Sequence, residues 1–308
     1  MDRDAVSRAH MLRALARAQR DALAQVPVQG MPLTLEPPGH PPAAVYVHRA
    51  AGASSPTVFE LHGGGFALGD ARATDSIRQY LCRTINVNVV GISYCKTPQF
   101  PYPAAVDQVF AVLNYFAEHA ASYQLDPARF AVMGYSCGAN LAAVTAMRAA
   151  HEPCGFSLRA QVLHYPYLNV VPPPAGTDTI SDRLPAELLT AFVEAYAPPE
   201  RRREPFCSPL CAPEALLQNG PPALIMPARN DALRTDALAY AQKLTAAGVP
   251  TETDTSEDTH HGYIEDHFCP ALYALSFPDG RESHPAAFHR QAVRAMHRSA
   301  QFLSTHFA

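Results

Sequence analysis

The residues most able to do chemistry in this chain stand around Ser136, in the pattern Gly134-x-Ser136-x-Gly138. A short apolar stretch, residues 131–133, precedes the pattern, and an alanine-rich stretch follows it. A strand that turns into a helix within one residue crowds its own backbone, and small residues two places before and after the serine relieve that crowding. The spacing therefore predicts a nucleophile elbow, with the serine hydroxyl exposed near the positive end of a new helix.

A serine nucleophile needs a general base, and two neighbouring histidines are candidates for it. The chain has fourteen histidines, so a candidate base can be distinguished from the others only by its position in the sequence. His260 and His261 lie in a predicted loop directly after the strand expected at 251–256, and catalytic groups gather at the carboxyl ends of strands in open α/β sheets. His261 precedes a glycine, which lets the chain turn close to a site. On position alone, either histidine is the base or an ordinary loop residue.

The base in turn needs an acid that orients it, and Asp231 is the best-placed candidate. It follows the strand predicted at 222–227 by a short loop, just before a predicted helix. An aspartate in that place could equally cap the helix. Asp258 is the nearest competitor, whereas Asp236 and Asp254 are less well placed, inside a predicted helix and a predicted strand.

Acyl transfer also needs backbone donors for the oxyanion of its tetrahedral intermediate. A glycine run after a predicted strand supplies candidates, since glycine allows the backbone to approach a ligand closely. The predicted donors are the amides of Gly63, Gly64, Gly65 and Cys137, with Gly63 the least favoured. A phosphate-binding loop is excluded, because no Gly-Lys-Ser/Thr follows the run and the G-x-G-x-x-G pattern is not met.

Strands and helices alternate from residue 57 to residue 166, which predicts βαβ units and a mainly parallel sheet. The predicted strands span 43–49, 57–61, 87–94, 129–133, 158–166, 222–227 and 251–256. The predicted helices span 3–24, 73–85, 104–121, 185–196, 232–247 and 285–305. Six prolines between residues 27 and 42 predict a linker.

The alternation breaks between residues 168 and 215, where prolines cluster, so we expect an insertion that forms a lid together with the N-terminal helix. The predicted organisation is an N-terminal helix and linker that belong to the cap (1–42), a first core part (43–167), a cap insertion (168–215) and a second core part (216–308).

Composition narrows the classes of partner. The 308-residue chain carries a formal net charge of −4, which argues against a nucleic-acid partner, and the absence of a long apolar run argues against membrane insertion. The charged N-terminus, Met1-Asp2-Arg3-Asp4, predicts no secretion signal and hence a cytoplasmic protein. Seven scattered cysteines are expected to be reduced, and their spacing completes no metal site.

The sequence resembles the hormone-sensitive-lipase-like branch of the α/β-hydrolases, the bacterial acetyl esterase and carboxylesterase group, over roughly residues 43–305. The resemblance rests on His62-Gly63-Gly64-Gly65-Phe66, Tyr94 with Pro98 and Phe100-Pro101-Tyr102-Pro103-Ala104-Ala105, Gly134-Tyr135-Ser136-Cys137-Gly138-Ala139-Asn140-Leu141-Ala142, Ser208-Pro209-Leu210, Asp231-Ala232-Leu233-Arg234 and His261-Gly262-Tyr263. It implies an α/β-hydrolase fold, with a mainly parallel central sheet flanked by helices and a small helical cap. It also implies Ser136 as nucleophile, Asp231 as acid and His261 as base. It favours His261 over His260, because the family's histidine is followed by glycine and an aromatic residue.

Two residues beside the nucleophile depart from the family pattern. Tyr135 and Cys137 stand where the family usually has Asp or Thr and Ala. Another departure is Cys95-Lys96-Thr97-Pro98-Gln99 in place of the usual Arg-Leu-Ala-Pro-Glu. These changes leave the triad intact and bear on the acyl pocket, where Phe66 and Tyr135 are expected to contact the substrate.

The expected function is that of a serine carboxylesterase for small or short-chain, acetyl-like acyl esters, working through an acyl-enzyme. The expected partner is a small-molecule ester, and no metal or cofactor is expected. The oligomeric state stays open, a homodimer included. The alternatives are an amidase or peptidase of the same fold, and a non-catalytic hydrolase-fold binding protein.

Overall fold

The computed structural model describes residues 3–52, 54–173, 184–277 and 285–308. Its strands are β1 (Met31–Leu35), β2 (Ala43–His48), β3 (Ser55–Leu61), β4 (Asn88–Ser93), β5 (Leu125–Tyr135), β6 (Leu158–His164), β7 (Ala223–Met226), β8 (Ala228–Asn230), β9 (Thr251–Thr253) and β10 (Ser256–His260). Its α-helices are α1 (Arg3–Leu23), α2 (Asp75–Ile85), α3 (Ala104–Glu118), α4 (Ala120–Tyr123), α5 (Cys137–His151), α6 (Ala186–Tyr196), α7 (Glu214–Leu217), α8 (Arg234–Ala246), α9 (Tyr263–Phe268), α10 (Pro270–Ser276) and α11 (Pro285–Phe307). Short 3-10 turns lie at Ala71–Thr74, Pro199–Arg201 and Pro209–Cys211.

An eight-stranded sheet forms the centre of the fold, in the order β1-β2-β4-β3-β5-β6-β7-β9. Strand β2 runs antiparallel to both of its neighbours, and every pairing from β4 to β9 is parallel. Strand β4 is buried at all six residues, as expected for a sheet with helices on both faces. The predicted α/β fold with a mainly parallel sheet is confirmed.

The two faces of the sheet carry two separate hydrophobic clusters, and residue parity assigns each side chain to one of them. On β5, Val132 packs in the cluster that contains Val109 of α3. Its neighbours Met133 and Tyr135 pack in the other cluster, with Met296 of α11. Successive side chains on a strand point to opposite faces, so the last residue of β5 lies on the α11 side.

The prediction that residues 27–42 form only a linker was wrong. Strand β1 lies within it and pairs antiparallel with β2, with Pro32 opposite Tyr46. Proline cannot donate a ladder hydrogen bond, but it is tolerated on an edge strand such as β1. The prolines therefore made this segment look like a linker, although pairing with β2 stabilises it as a strand.

The loop expected after residue 256 is also a strand. Strand β9 ends at Thr253, and β10 pairs in parallel with β8 in a separate two-stranded sheet. Both strands are short and largely polar, so they lack the apolar run that marks the central strands. Their formation depends on pairing with each other, which local sequence does not reveal.

A buried ionic network joins α2 to β3. The Arg78 side chain is fully buried, and it donates to Glu60 Oε2 at 3.0 Å and to Asp75 Oδ1 at 3.0 Å. Burial raises the pKa of Glu60, and Arg78 opposes that shift. Burial also acts to raise the pKa of Asp75, but hydrogen bonds from His48 and from the amide of Gln29, together with the Arg78 charge, bring it to about 2. One cation thus compensates two buried carboxyl groups.

Replacing Arg78 should destabilise the fold strongly. Arg78→Met fills similar space but leaves the carboxyl groups of Glu60 and Asp75 without their cation, so we expect a loss of about 3–5 kcal/mol in the free energy of unfolding. Urea denaturation measures this loss. Arg83→Met, on the exposed part of the same helix, is the control and should change stability by less than about 0.5 kcal/mol. Equal midpoints for the two variants would contradict the expectation.

Candidate active site

Ser136 stands at a sharp turn between β5 and α5, as the Gly-x-Ser-x-Gly spacing predicts. It is the single residue between the strand and the helix, and its backbone has φ 54° and ψ −119°. A Cβ added at Gly134 would lie 2.3 Å from the carbonyl carbon of Gly138, and one added at Gly138 would lie 2.1 Å from the Leu61 carbonyl oxygen. Only glycine fits at either position, so the elbow depends on both.

Ser136, His261 and Asp231 form one hydrogen-bonded line. His261 Nε2 lies 2.9 Å from Ser136 Oγ, and His261 Nδ1 lies 2.8 Å from Asp231 Oδ2. With the proton on Nδ1, the ring donates to the carboxylate and accepts from the serine hydroxyl. The three residues are only 7%, 8% and 3% exposed, respectively, so the line is screened from bulk water. This arrangement can remove a proton from the serine hydroxyl.

The two-stranded sheet brings the acid and the base together. Its parallel register places His260 of β10 opposite Asn230 of β8, so the next residue of each strand, His261 and Asp231, emerges at the same end. Asp231 Oδ1 also accepts the backbone N–H of Leu233 at 2.9 Å. Asp231 is therefore not the N-cap of α8, which is Leu233; one of its oxygens accepts a hydrogen bond from the turn before that helix and the other meets the imidazole.

The competing residues lie elsewhere. His260 Nε2 is 3.1 Å from Asp266 Oδ2 and not beside the serine. Asp254 pairs with Arg294 at the protein surface, and Asp258 is exposed at a position with φ 52°. Of the candidate aspartates, Asp231 is the one hydrogen-bonded to His261.

The glycine run forms a tight loop next to the elbow. Gly64 and Gly65 have φ values of 125° and 58°, and a Cβ at Gly64 would lie 2.3 Å from the Leu68 carbonyl oxygen. The Gly63 N–H donates to Glu265 Oε1 at 3.0 Å. The expectation that Gly63 serves as an oxyanion donor is corrected on this ground, because its proton is already engaged.

The Cys137 thiol holds the far end of the same loop. Its sulfur accepts the Phe66 N–H at 3.2 Å and lies 3.2 Å from the Tyr94 hydroxyl, which donates to the His62 carbonyl at 2.8 Å. The Gly65 amide also neighbours the sulfur. Burial raises the pKa of Cys137 to about 11, although the contacts with the Tyr94 hydroxyl and the Phe66 amide oppose the shift. The thiol is therefore neutral at physiological pH and acts as a small hydrogen-bonding group.

The expectation that Phe66 and Tyr135 contact the substrate is corrected, because both rings are buried away from the cavity. The Phe66 ring stacks on Tyr196 with centroids 3.7 Å apart, and it is 1% exposed. The Tyr135 ring stacks on His164 with centroids 5.1 Å apart, and it is fully buried in the cluster on the α11 side. Strand parity turns Tyr135 away from the face where α5 packs.

A cavity of about 260 Å³ opens over the serine and histidine. Its apolar wall includes Leu15 of α1, Leu188 and Phe192 of α6, and Leu272 and Leu275 of α10. Sequence reasoning anticipated the first two helices but missed α10. It also missed Glu265 of α9, which lines the cavity, because this helix of six residues is too short to show a helical period in the sequence.

Helices α1 and α6 are joined above the site. The Arg8 guanidinium makes two hydrogen bonds to Glu194, at 2.8 and 2.7 Å. The Phe192 ring lies against Gly65, where an added Cβ would come within 2.3 Å of it. Residues 174–183 of the insertion expected at 168–215 lie outside the described residues.

Neither a metal-binding cluster nor a membrane-spanning helix occurs in the part of the chain that the structure describes. Within residues 3–52, 54–173, 184–277 and 285–308, no group of three or more histidine, cysteine, aspartate or glutamate side chains is arranged to hold a metal ion. No helix in the described ranges combines the length and the apolar character needed to cross a membrane.

The sequence is similar to that of a hydrolase-fold family and to proteins named as esterases. The sequence model of a family with the alpha/beta hydrolase fold matches residues 58–265. The carboxylesterase NlhH of Mycobacterium tuberculosis is 34% identical over 246 residues, which cover 79% of this chain and 75% of the relative. The acetyl esterase of Salmonella choleraesuis is 32% identical over 223 residues, which cover 68% of this chain and 66% of the relative.

Comparison with solved structures agrees with these matches. A thermostable esterase from Pseudomonas putida superposes with a TM-score of 0.81 at 28% identity, covering 96% of this chain and 90% of the other. A hyperthermophilic esterase from Pyrobaculum calidifontis superposes with a TM-score of 0.79 at 26% identity, covering 96% and 91%. The similarity therefore extends over nearly the whole length of both chains.

Proposed function

The chain belongs to the hormone-sensitive-lipase-like family of α/β-hydrolases and is a carboxylic ester hydrolase, and on this premise we propose that it is a serine esterase for small or short-chain acyl esters. The observation that carries the proposal is the hydrogen-bonded line from Ser136 Oγ through His261 to Asp231, at 2.9 and 2.8 Å. The alternative of a non-catalytic binding protein is set aside, because the relatives are named as esterases.

In the proposed acylation step, Ser136 Oγ attacks the ester carbonyl carbon while His261 Nε2 takes the hydroxyl proton. Asp231 keeps the imidazole in the required orientation and stabilises its cationic form. The tetrahedral intermediate then collapses, the ester C–O bond breaks, and His261 returns the proton to the leaving alcohol. The product is an acyl group on the serine oxygen.

Deacylation repeats the sequence with water. His261 takes a proton from a water molecule, the hydroxide attacks the acyl carbon, and the proton passes to the serine oxygen as the carboxylic acid leaves. We assign the oxyanion hole to the amides of Gly64, Gly65 and Cys137. Each donor of this kind stabilises the transition state by about 2.7–4 kcal/mol. The backbone conformation of Gly64, open only to glycine, supports its assignment.

We assign the cap to α1 and to the insertion at 168–215, with residues 43–167 and 216–308 forming the hydrolase core. The Arg8–Glu194 pair that joins α1 to α6 supports this assignment. The cavity of about 260 Å³ is smaller than the roughly 300–1,000 Å³ of sites for drug-sized ligands. Its size and its apolar wall, to which the cap contributes Leu15 and Leu188, favour short acyl groups.

The most direct test of the proposed function is hydrolysis of p-nitrophenyl acetate by the purified chain. Turnover that saturates with substrate supports the proposal, and an absence of turnover overturns it. A p-nitroanilide of the same acyl group, measured in parallel, separates an esterase from an amidase.

The proposed cap predicts a steep dependence on acyl length. From p-nitrophenyl butyrate to the octanoate we expect kcat/KM to fall by about tenfold or more, since one methylene in a tight apolar pocket changes kcat/KM by about 10–200-fold. Leu188→Ala should raise the octanoate-to-acetate ratio by enlarging the cavity. Leu216→Ala, a truncation of a half-buried leucine outside the cavity lining, should leave the ratio unchanged. A wild-type profile that rises to the octanoate would refute a short acyl pocket.

A further inference from the structure

Glu265 is a buried carboxyl group of the cavity for which the proposed reaction has no role. It lies on α9, four residues after His261, and is 9% exposed. Its Oε1 accepts the Gly63 N–H at 3.0 Å, and its Oε2 accepts the Tyr165 hydroxyl at 3.1 Å. Both oxygens are therefore used, one by the glycine loop and one by the residue that follows β6.

The contact between Glu265 and the loop is tight. A Cβ added at Gly63 would lie 2.6 Å from Glu265 Oε1, so the carboxyl group rests directly on the backbone of the first glycine. The Gly63 carbonyl lies 2.7 Å from His62 Nδ1. Gly63 is thus fixed through both its amide and its carbonyl, immediately before the proposed donor Gly64.

The other end of the loop is fixed independently. There the Cys137 sulfur accepts the Phe66 N–H. At the first end, the Tyr94 hydroxyl donates to the carbonyl of His62, which belongs to the same peptide unit as the Gly63 N–H. Between these points, Gly64 and Gly65 both have positive φ values, a backbone conformation that favours glycine. Such a backbone has no side chains of its own to set its direction, so the anchors at its two ends must do so.

Both anchors lie close in sequence to members of the proposed triad. Cys137 follows Ser136 directly, and Glu265 lies four residues after His261, on the helix that begins at Tyr263. The donors, the nucleophile and the base are therefore tied to one another by side-chain contacts. Burial raises the pKa of Glu265 to about 7, while the Gly63 amide, His261 and Tyr165 act to lower it.

We propose that Glu265 is a positioning residue for the oxyanion hole, whose carboxyl group holds Gly63 and thereby directs the amides of Gly64 and Gly65. The inference rests on the proposed serine-esterase function. Because the oxyanion exists in the intermediates and transition states but not in the bound ester, displaced donors lower kcat and leave KM nearly unchanged.

The test compares Glu265→Met with Glu265→Gln. Methionine fills the space without an acceptor, whereas glutamine keeps an oxygen for the Gly63 N–H and can pair its amide with the Tyr165 oxygen. For p-nitrophenyl acetate we expect Glu265→Met to lower kcat by about 100-fold, the effect of losing one oxyanion donor, with KM changed less than about threefold. Glu265→Gln should retain kcat within about fivefold. Tyr165→Phe, which keeps the Gly63 contact, is the matched control and should behave like Glu265→Gln.

Values of kcat are expressed per serine titrated with a fluorophosphonate, so that misfolded protein does not contribute. If Glu265→Met fails to fold, Glu265→Ala is compared with Glu265→Gln by the same ratio. A Met or Ala variant with wild-type kcat, or a Gln variant as impaired as the Met variant, overturns the inference. Failure of the wild type to hydrolyse the ester would instead overturn the proposed function, so the two failures are distinguishable.

Discussion

Ser136→Ala is expected to lower kcat for p-nitrophenyl acetate by on the order of 10⁶-fold, which removes the activity for practical purposes. The hydroxyl at 2.9 Å from His261 Nε2 is the proposed nucleophile, and alanine offers no atom that could form the acyl-enzyme. The fold should be retained, because Ser136 is a small residue whose loss leaves the glycines of the elbow in place.

The variant is measured alongside covalent labelling. A fluorophosphonate should label the wild type at Ser136, as read by mass spectrometry of the peptide, and should not label the variant there. Ser122→Ala, which alters an exposed serine of α4, is the control and should keep full activity and full labelling. If Ser136→Ala retained more than about 1% of the wild-type kcat, its residual activity would be far above the expected level, and this serine would be ruled out as the nucleophile.

Asp231→Asn is expected to lower kcat by about 10⁴-fold while leaving the fold intact. The amide keeps an oxygen for the Leu233 N–H, so the turn before α8 survives. It cannot stabilise a cationic His261, and its N–H₂ group favours the wrong imidazole tautomer. The variant thus separates two roles of one carboxylate, its hydrogen bond to the turn before α8 and its charge beside His261.

Steady-state rates and a thermal melt check this expectation together. The melting temperature should stay close to that of the wild type while kcat falls. Asp258→Asn is the matched control, since Asp258 is exposed and its positive φ is compatible with asparagine. Equal rates for the two Asn variants would show that Asp231 is not the acid.

The sequence predicts the parts of this molecule that depend on local pattern. Strand β4 is a continuous apolar run, and the elbow is a short motif in which each glycine meets a steric demand. The choice of His261 over His260 needed more than position, because both lie at the end of the same strand. The resemblance to a family favoured His261, and the 2.9 Å contact with Ser136 agrees with that choice.

The parts that could not be predicted depend on tertiary pairing. Strands β8 and β10 have three and five residues and little apolar character, so no local signal separates them from loops. Helices α9 and α10 have six and seven residues, too short for a clear helical period. Glu265 lies on one of these helices, and its contact with Gly63 spans 202 positions of the chain. Strand parity, applied to Tyr135, would have excluded that ring from the substrate pocket.

The two-stranded sheet has a consequence for how the triad tolerates change. Asp231 and His261 each follow directly on one of its strands, whereas Ser136 follows a strand of the large sheet. In the proposed catalytic line, the register of the small sheet therefore sets the distance from acid to base, and the packing of the small sheet against the large one sets the distance from base to nucleophile. Sequence drift that shifts the small sheet as a body alters the distance from His261 to Ser136 and preserves that from His261 to Asp231. Engineering aimed at the rate should therefore begin with the contacts between the two sheets, which set the distance from His261 to Ser136.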